Sequence, residues 1–196
     1  MRANQQPNQL RIIAGAWRGR KLVFAPVAGL RPTADRVRET LFNWLGLSVH
    51  GARCLDLFAG SGALGLEAAS RGAAAVVLVD ADPLVVRTLQ EQVRVLDARQ
   101  ARIVQANCER YLLGPAEPFD LVFLDPPYRQ GALPGCMELL EQRGWLASDA
   151  WIYLEAEREL EFSLPGSWEP YRSKLTGQVG SHLVRRSTVR GQPHRP

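Results

Sequence analysis

The sequence predicts a doubly wound α/β fold, in which a mostly parallel sheet is covered by helices on both faces. After Gly51, nearly continuous apolar runs alternate with amphipathic helical segments, a rhythm typical of parallel strands joined by helical crossovers. A glycine-rich turn between the first of these runs and the first helix is also expected of such folds. The last two runs flank Thr176-Gly177-Gln178 and predict an antiparallel hairpin at the sheet edge. We therefore expect a seven-stranded sheet.

An N-terminal hairpin and helix are expected to precede this sheet. Leu10–Ala14 and Arg20–Phe24 are short apolar-rich runs on either side of a glycine-containing loop, a pattern that predicts a small β-hairpin. Thr33 is expected to cap a helix of about fifteen residues. The apolar positions of that helix at helical spacing are Val37, Leu41, Trp44 and Leu45.

The alternating part of the chain contains the remaining elements. Its predicted strands are Cys54–Phe58, Ala75–Val79, Ala101–Gln105, Phe119–Leu124, Trp151–Leu154, Tyr171–Leu175 and Val179–Arg185. The helices between them are Ala63–Ser70, Pro83–Leu96 and one around Leu139 and Leu140. These elements predict a domain over residues 51–187, between an extension of residues 1–50 and a tail of residues 188–196.

Length and composition exclude several classes of protein. The chain has 196 residues, of which 46% are hydrophobic and 22% charged, as in ordinary globular proteins. No run approaches the roughly 20 apolar residues that span a bilayer. The first residues lack the apolar core of a secretory signal, so we expect a cytoplasmic protein, and one that acts as a monomer. Three scattered cysteines and three histidines predict neither a disulfide framework nor a metal site.

Charge is unevenly distributed along the chain. Residues 1–38 carry a formal charge of +7, residues 39–170 a charge of −9 and residues 171–196 a charge of +6, for a net charge of +4. Basic N- and C-terminal segments on either side of an acidic central segment are consistent with a protein that binds a polyanion through its terminal segments and has a different role for its central segment. A soluble surface with a solvated tail accounts for the same distribution, so charge alone leaves nucleic-acid binding open.

The turn after the first predicted strand of the sheet carries Gly60, Gly62 and Gly65. Glycines let the backbone turn tightly and let a ligand approach closely. Their spacing satisfies the dinucleotide pattern, so a nicotinamide or flavin enzyme is one interpretation. Asp56, before the first glycine, would repel a pyrophosphate but can accept hydrogen bonds from the amino group of S-adenosylmethionine (SAM). Asp80, after the second strand, is placed to accept the ribose hydroxyls of either cofactor class.

The third strand of the sheet is followed by Asn107 and Cys108. At this place in such folds, side chains commonly flank the edge of an adenine. Cys108 fits a small core position equally well, so both interpretations of this residue stay open.

The segment Asp125-Pro126-Pro127-Tyr128 follows the fourth strand and is the most informative in the chain. Ligands of open α/β sheets bind outside the carboxyl ends of the strands, so Asp125 is expected beside the glycine turn. The two prolines stiffen the backbone and leave carbonyl oxygens near Pro126 free for a ligand. With Tyr128 as a stacking ring, these acceptors suit a flat base whose exocyclic amine they would aim at a methyl sulfonium. A proline-rich turn whose Tyr128 packs on the core is the structural alternative.

Basic residues near both ends of the chain are candidates for phosphate contacts. Arg36 and Arg38 lie in the first turns of the predicted helix, where cations are unfavourable unless an anion is the partner. The structural alternative is that one of them pairs with Asp35 or Glu39. Trp17 on the hairpin either stacks on a base or covers the core. The other basic candidates are Arg18, Arg20, Lys21, Arg31, Arg172, Lys174, Arg185 and Arg186.

The segment from Asp125 to Tyr128 resembles the signature of the amino-group branch of SAM-dependent methyltransferases, (Asn/Asp/Ser)-Pro-Pro-(Tyr/Phe/Trp). From Leu10 to about Arg186 the chain resembles one family in particular, the RsmD family of bacterial 16S rRNA guanine-N2 methyltransferases. The segments that carry this resemblance are Arg11-Ile12-Ile13-Ala14-Gly15, Trp17-Arg18-Gly19-Arg20-Lys21-Leu22, Leu30-Arg31-Pro32-Thr33, Asp35 to Leu45, and Lys174 with Gly177-Gln178-Val179.

The resemblance implies a Rossmann-like methyltransferase fold and a set of site residues. SAM would be bound by Asp56, Phe58, Ala59, Gly60, Gly62, Asp80, Ala81, Asn107, Cys108 and Asp125. The target guanine would be held by its 2-amino group for catalysis by Asp125, Pro126 and Tyr128. The implied substrate is one guanine in the 16S rRNA of the small ribosomal subunit or an assembly intermediate, contacted by Trp17, Arg18, Arg20, Lys21, Arg31, Thr33, Arg36, Arg38 and Lys174. The ribose acid is aspartate here, where the family frequently has glutamate.

Other functions stay open on the sequence alone. An adenine-N6 DNA methyltransferase or a glutamine methyltransferase would use the same chemistry. However, residues 1–50 leave little room for a DNA-recognition region, and the basic ends disfavour a protein substrate. A nicotinamide-dependent oxidoreductase would use the glycine turn and leave Asp125 to Tyr128 without a role. A non-catalytic RNA-binding module would have no need of Asp80 and Asp125.

Overall fold

The computed structural model describes residues 9–27, 33–127, 131–160 and 162–187. Its N-terminal elements are β1 (Gln9–Arg11), β2 (Lys21–Val23), α1 (Asp35–Leu45) and a 3₁₀ turn (Gly46–Val49). The other strands are β3 (Arg53–Asp56), β4 (Ala75–Asp80), β5 (Ala101–Gln105), β6 (Phe119–Leu124), β7 (Leu146–Glu157), β8 (Trp168–Thr176) and β9 (Val179–Arg186). The other helices are α2 (Gly65–Ser70), α3 (Pro83–Leu96), α4 (Cys108–Leu112) and α5 (Ala132–Gln142). Within these described ranges, no helix has both the length and the apolarity needed to cross a membrane.

The main sheet has seven strands in the order β5-β4-β3-β6-β7-β9-β8, and β1 pairs with β2 in a separate two-stranded sheet. The first five strands in this order are parallel, whereas β9 and β8 are antiparallel to their neighbours. The predicted doubly wound fold with an antiparallel C-terminal hairpin is therefore confirmed. The strand order reverses between β3 and β6, and such a switch point is where open α/β sheets bind ligands.

Some elements have the bounds expected from the sequence and others differ for physical reasons. α3, β5 and β6 begin and end where the sequence predicts. β7 is much longer than the predicted Trp151–Leu154. Its C-terminal part continues because it pairs with β9, and its N-terminal part is not predicted because exposed residues there interrupt the apolar pattern. β3 and α2 are shorter than predicted, since residues 57–64 form the glycine turn.

The start of α1 differs from the prediction that Thr33 caps it. The helix begins at Asp35 and has 11 residues, and Ala34 occupies the N-cap position without a side-chain hydrogen bond. Thr33 Oγ1 instead donates a hydrogen bond to Asp125 Oδ2 at 3.2 Å. The predicted cap is therefore wrong, and Thr33 holds the end of β6.

Two apolar clusters cover the two faces of the main sheet. The first contains side chains of the N-terminal hairpin, α1, α2 and α3 together with Leu121, Phe123 and Tyr153 of the sheet. The second contains side chains of α4 and α5 together with the intervening strand residues, such as Val122 and Leu124. This division follows from the alternation of side chains along a strand. The hairpin and α1 thus share a core with the sheet.

Polar contacts fasten the N-terminal hairpin to α2. Glu67 has a fully buried side chain and accepts hydrogen bonds from Ile13 N at 2.8 Å and Ala14 N at 3.0 Å. Gly15 has a φ of +82°, and a Cβ at this position would lie only 1.8 Å from Ser70 O. Only glycine therefore permits the hairpin to approach α2 this closely.

Candidate active site

Four carboxyl groups lie at the carboxyl ends of neighbouring strands, around the switch point of the sheet. Asp56 ends β3, Asp80 ends β4, Asp125 follows β6, and Glu155 lies near the end of β7. The structure thus brings together three predicted site residues and one that sequence reasoning misses. The signal that identifies the aspartates, an acid directly after apolar strand residues, is also present at Glu155. Across the described residues, no group of three or more His, Cys, Asp or Glu side chains could hold a metal ion.

The glycine turn is held against Asp80. Asp80 Oδ2 accepts a hydrogen bond from Gly60 N at 2.9 Å, and its Oδ1 accepts one from Asp82 N at 2.9 Å. Gly60 and Gly62 have φ angles of 50° and 78°, which residues with a Cβ adopt only at a cost. A Cβ at Gly62 would also lie 2.7 Å from Leu66 Cδ1. The predicted glycine positions are therefore required by the shape of the turn.

Asp56 is buried and lacks one hydrogen-bond partner. Its Oδ2 accepts a hydrogen bond from Gly65 N at 2.9 Å, whereas its Oδ1 is buried without a hydrogen bond of good geometry among the described residues, and the backbone N–H of Phe58 interacts only weakly with this carboxyl group. Burial, with smaller contributions from the charges of Asp125 and Asp80, raises the pKa of Asp56 to about 7. A buried acceptor without a partner is costly, and it fits a ligand that brings a cationic donor, such as an amino group.

Replacing Asp56 by asparagine is expected to stabilise the protein in the absence of a ligand. The pKa of Asp56 is 3.8 in the unfolded chain and about 7 in the folded protein. Ionisation of this group therefore lowers the free energy of unfolding as pH rises between those two values. Because asparagine carries no charge, the advantage of the variant grows from about pH 4 to about pH 7 and is constant above. Urea unfolding of the two proteins across this range measures the difference.

The control for this substitution is Asp149→Asn, which removes an exposed carboxylate that lies 3.5 Å from a half-exposed arginine, Arg185. Its free energy of unfolding is expected to follow that of the wild-type protein at every pH, because exposed pairs of this kind contribute little. An Asp56→Asn variant that is less stable than the wild type at pH 8 would contradict the cost assigned to the buried carboxylate.

Asp125 is held at the end of β6 by the segment that precedes α1. Burial raises the pKa of Asp125 to about 6, while the hydrogen bond from Thr33 lowers it. Pro126 is half-buried and Pro127 is exposed, so the chain after Asp125 lies at the open side of the site. Tyr128 lies outside the described residues, and its stacking role stays a prediction.

The residues predicted to flank an adenine have structural contacts of their own. Asn107 caps α4 by accepting a hydrogen bond from Arg110 N at 2.8 Å. Cys108 is buried in the second apolar cluster, which also contains Cys136, as its core interpretation expects. The other predicted cofactor residues after β3 and β4 lie at the same edge of the sheet, and they are Phe58, Ala59 and Ala81.

The predicted RNA contact at Arg38 is wrong, because this side chain is fully buried. Its guanidinium donates to Asp35 Oδ1 at 2.6 Å and to Arg11 O at 2.8 Å, and it lies 3.5 Å from Glu67 Oε2. Glu67 also pairs with Arg71 at 2.7 Å. Arg38 therefore links α1 to the hairpin and α2. Sequence reasoning also misses Glu67, whose only signal is its position inside a short, alanine-rich helix.

The remaining predicted RNA contacts lie on the elements that pack on the α1 side of the sheet or at its β8 edge. Trp17 is half-buried against the first apolar cluster. Lys174 is exposed and donates to Thr40 Oγ1 at 3.3 Å, which joins β8 to α1. Arg31 lies outside the described residues. The other basic candidates with exposed side chains are Arg18, Arg20, Lys21, Arg36, Arg172 and Arg185. Arg186 is half-buried and pairs with Glu141 at 2.9 Å.

Comparison with known proteins gives consistent matches over most of the chain. The family model described as "Conserved hypothetical protein 95" matches residues 10–185. Over 179 residues the chain is 49% identical to "Ribosomal RNA small subunit methyltransferase D" of Escherichia coli (strain K12), covering 91% of this chain and 90% of that protein. Over 190 residues it is 42% identical to the protein of the same name from Haemophilus influenzae, covering 93% and 98%. The solved structure of a putative methyltransferase from Escherichia coli matches with a TM-score of 0.85 at 50% identity, covering 92% and 99%.

Proposed function

The chain belongs to the RsmD family, and from that membership we propose that it transfers a methyl group from SAM to the N2 amine of one guanine in the 16S rRNA of the small ribosomal subunit. Its relatives are named as methyltransferases of small-subunit rRNA. One observation supports an amino group as the methyl acceptor. Asp125-Pro126-Pro127 lies beside Asp56, because β6 and β3 are neighbouring parallel strands. A ligand held by Asp56 is within reach of a base held by Asp125.

Three features at the carboxyl ends of β3 and β4 support SAM as the methyl donor. The unpartnered Oδ1 of Asp56 suits an ammonium group, the carboxylate of Asp80 retains lone pairs for ribose hydroxyls, and the glycine turn permits close approach of the backbone. When bound, SAM supplies a methyl group on a cationic sulfur. The acidic side chains around the switch point favour such a cation. Asp56→Asn is accordingly expected to weaken SAM binding by about 10- to 100-fold, the usual effect of losing a hydrogen bond to a charged group.

An ionised Asp125 supports guanine over adenine as the target. Guanine presents two adjacent donors, N1–H and the N2 amine, to a carboxylate that can accept from both. Adenine presents its N6 amine beside an unprotonated N1, whose lone pair a carboxylate repels. By accepting from the amine, Asp125 localises the nitrogen lone pair, and it takes the proton that the amine loses on methylation. The proposed second acceptor is the Pro126 carbonyl, and Tyr128 is the proposed stacking ring, a contact of about 1–3 kcal/mol.

We place the rRNA on the side of the protein that carries the N-terminal hairpin and α1. The exposed basic residues there supply phosphate contacts, and the target base leaves its stack to reach Asp125. Thr33 acts through Asp125, to which it donates. The partner is the small subunit or an assembly intermediate, on which the protein acts as a monomer in the cytoplasm.

Reversing two charges on the hairpin, Arg18→Glu with Arg20→Glu, is expected to weaken binding of the small subunit by about 10-fold or more at low salt. Both side chains are exposed, and each lost phosphate contact also makes the salt dependence of binding less steep. Filter binding at several salt concentrations measures both quantities.

The matched control is Arg110→Glu with Arg143→Glu, which makes the same change of charge at exposed positions near α4 and α5, on the opposite face of the sheet. This control is expected to bind as the wild type does. Unchanged affinity and unchanged salt dependence in the hairpin variant would remove the hairpin from the RNA-binding surface.

The direct test of the proposed function uses small subunits from cells that lack this gene. The subunits are incubated with the protein and methyl-labelled SAM, and the RNA is digested to nucleosides for mass spectrometry. Label in N2-methylguanosine is the expected result. Label in N6-methyladenosine would keep the amine chemistry and overturn the choice of base. No label in any nucleoside would contradict an RNA substrate and turn attention to proteins, and then to NADH binding.

A further inference from the structure

Glu155 is a buried carboxyl group beside Asp125, and it has no part in the proposed binding of SAM or guanine. The parallel register of β6 and β7 pairs Leu124 with Leu154, so Asp125 and Glu155 follow as neighbours on the two strands. Both lie two residues after side chains of the first apolar cluster, and alternation along a strand turns them to the same face of the sheet. Glu155 is only 7% exposed. Two carboxyl groups therefore share one poorly solvated region.

Hydrogen bonds within the sheet fix the position of Glu155. Tyr153 Oη donates to Glu155 Oε1 at 2.7 Å and lies 3.2 Å from Ser181 Oγ on β9. Ser181 is paired with Glu155 in the antiparallel register of β7 and β9. The carboxyl group is thus oriented by Tyr153, whose hydroxyl group in turn lies beside Ser181.

No positive charge balances this pair of carboxyl groups in the part of the chain that the structure describes. Neither Asp125 nor Glu155 has an Arg, Lys or His nitrogen at salt-bridge distance there. On β8, Lys174 is exposed and donates to α1. His182 of β9 lies one residue after the register partner of Glu155, so it faces the other side of the sheet. On β3, Asp56 adds a further acid, and the charge of Asp125 contributes to raising the pKa of Asp56.

The charged residues of α1 do not supply the missing cation. Arg38 is engaged with Asp35 and Glu67, and the other two charged side chains of the helix, Arg36 and Glu39, are exposed. Two neighbouring carboxyl groups, one buried and one half-buried, have no cation beside them among the described residues and resist ionising together at neutral pH, so we expect the pair to retain one proton.

We propose that Glu155 is a positioning residue that retains this proton and so leaves Asp125 ionised to receive the guanine amine. This role rests on the proposed function. When Glu155 is protonated, the pair carries a single negative charge. That charge is on Asp125, which binds the guanine base. If Glu155 also lost its proton, two carboxylates would lie side by side. Their repulsion would move Asp125 away from the guanine amine.

The order of ionisation supports this assignment. Burial raises the pKa of Asp125 to about 6. Burial and the neighbouring charge of Asp125 raise the pKa of Glu155 to about 8, while the hydrogen bond from Tyr153 lowers it. The rate of methyl transfer is therefore expected to rise as pH increases through about 6 and to fall as pH increases through about 8.

The test measures single-turnover methylation of unmodified small subunits from about pH 5.5 to about pH 9. Glu155→Gln is permanently neutral, and its rate of methyl transfer at pH 7 is expected to be within about threefold of wild type. Its rate is not expected to fall as pH increases through about 8, and this decrease in the wild type is called the alkaline fall. Tyr153→Phe removes the bond that lowers the pKa of Glu155, so its alkaline fall is expected at higher pH. Glu159→Gln, an exposed residue after the end of β7, is the control and is expected to keep the wild-type profile.

Circular dichroism and SAM binding establish that each variant is folded before its profile is used. An alkaline fall that persists unchanged in Glu155→Gln, or a folded, SAM-binding Glu155→Gln that is inactive at every pH, would overturn the role of Glu155. If that variant does not fold, an unshifted alkaline fall in Tyr153→Phe would overturn the role instead. A wild-type protein that methylates no guanine would overturn the proposed function itself, and this role with it.

Discussion

Replacing Asp125 by asparagine is expected to lower the rate of methyl transfer by about 10³-fold while SAM still binds. Asparagine can still accept the hydrogen bond that Thr33 donates to this position. It cannot present an ionised group to the guanine amine, and it cannot take the proton that the amine loses. The rate is measured in single turnover with unmodified small subunits, and SAM binding by calorimetry.

Asp120→Asn is the matched control for this variant, because it makes the same chemical change at the other end of β6. Asp120 is exposed there and accepts a hydrogen bond from Arg53 N at 2.8 Å. Its rate of methyl transfer is expected to equal that of the wild type. Loss of SAM binding together with methyl transfer in Asp125→Asn would mean that Asp125 supports the structure of the site and is not specific to the reaction.

Replacing Glu67 by alanine is expected to lower the free energy of unfolding by about 3–5 kcal/mol. Glu67 and Arg38 both have side chains with no exposed surface. Without Glu67, the buried guanidinium loses one of its anionic partners, and the backbone N–H groups of Ile13 and Ala14 lose their acceptor. Denaturant unfolding, in the presence and absence of SAM, measures the change.

The exposed pair of Glu91 and Arg94 gives a control on a neighbouring helix. Glu91→Ala is expected to leave stability close to that of the wild type, because solvent screens such pairs. A double variant, Arg38→Leu with Glu67→Leu, is expected to lose less stability than Glu67→Ala alone, since it also removes the buried guanidinium that Glu67→Ala leaves with one carboxylate fewer. If Glu67→Ala unfolds at the same denaturant concentration as Glu91→Ala, the contacts of Glu67 do not hold the hairpin.

The parts of the fold that local signals specify could be predicted from the sequence. α3 has proline at its first position, a capping aspartate before it and a regular apolar stripe, and its predicted bounds are the observed ones. The parallel strands are largely apolar on both faces because helices cover both, and they appear in the sequence as nearly continuous apolar runs. Asp56, Asp80 and Asp125 are found for a related reason. An acid directly after a buried strand lies where parallel strands end and ligands bind.

The partners of charged side chains could not be predicted in this way, because apolar periodicity carries no information about what a charge meets across the fold. Arg38 lies 29 positions from Glu67, and Thr33 lies 92 positions from Asp125. From its neighbours alone, Arg38 has the pattern of an exposed cation at a helix start. Thr33 likewise has the pattern of a helix cap until β6 and α1 are placed side by side.

During synthesis on a ribosome, the N-terminal hairpin is made well before the residues that hold it. Glu67, the acceptor for Ala14, follows it by 53 positions, and Gln92, which donates to Val23 O at 2.8 Å, follows its partner by 69. At the usual rate of about 5–20 residues per second, the hairpin waits about 3–14 s for these partners. Until then, the hydrogen bonds that hold the hairpin against α2 and α3 cannot form. The hairpin therefore reaches its native position only after α2 and α3 have been made.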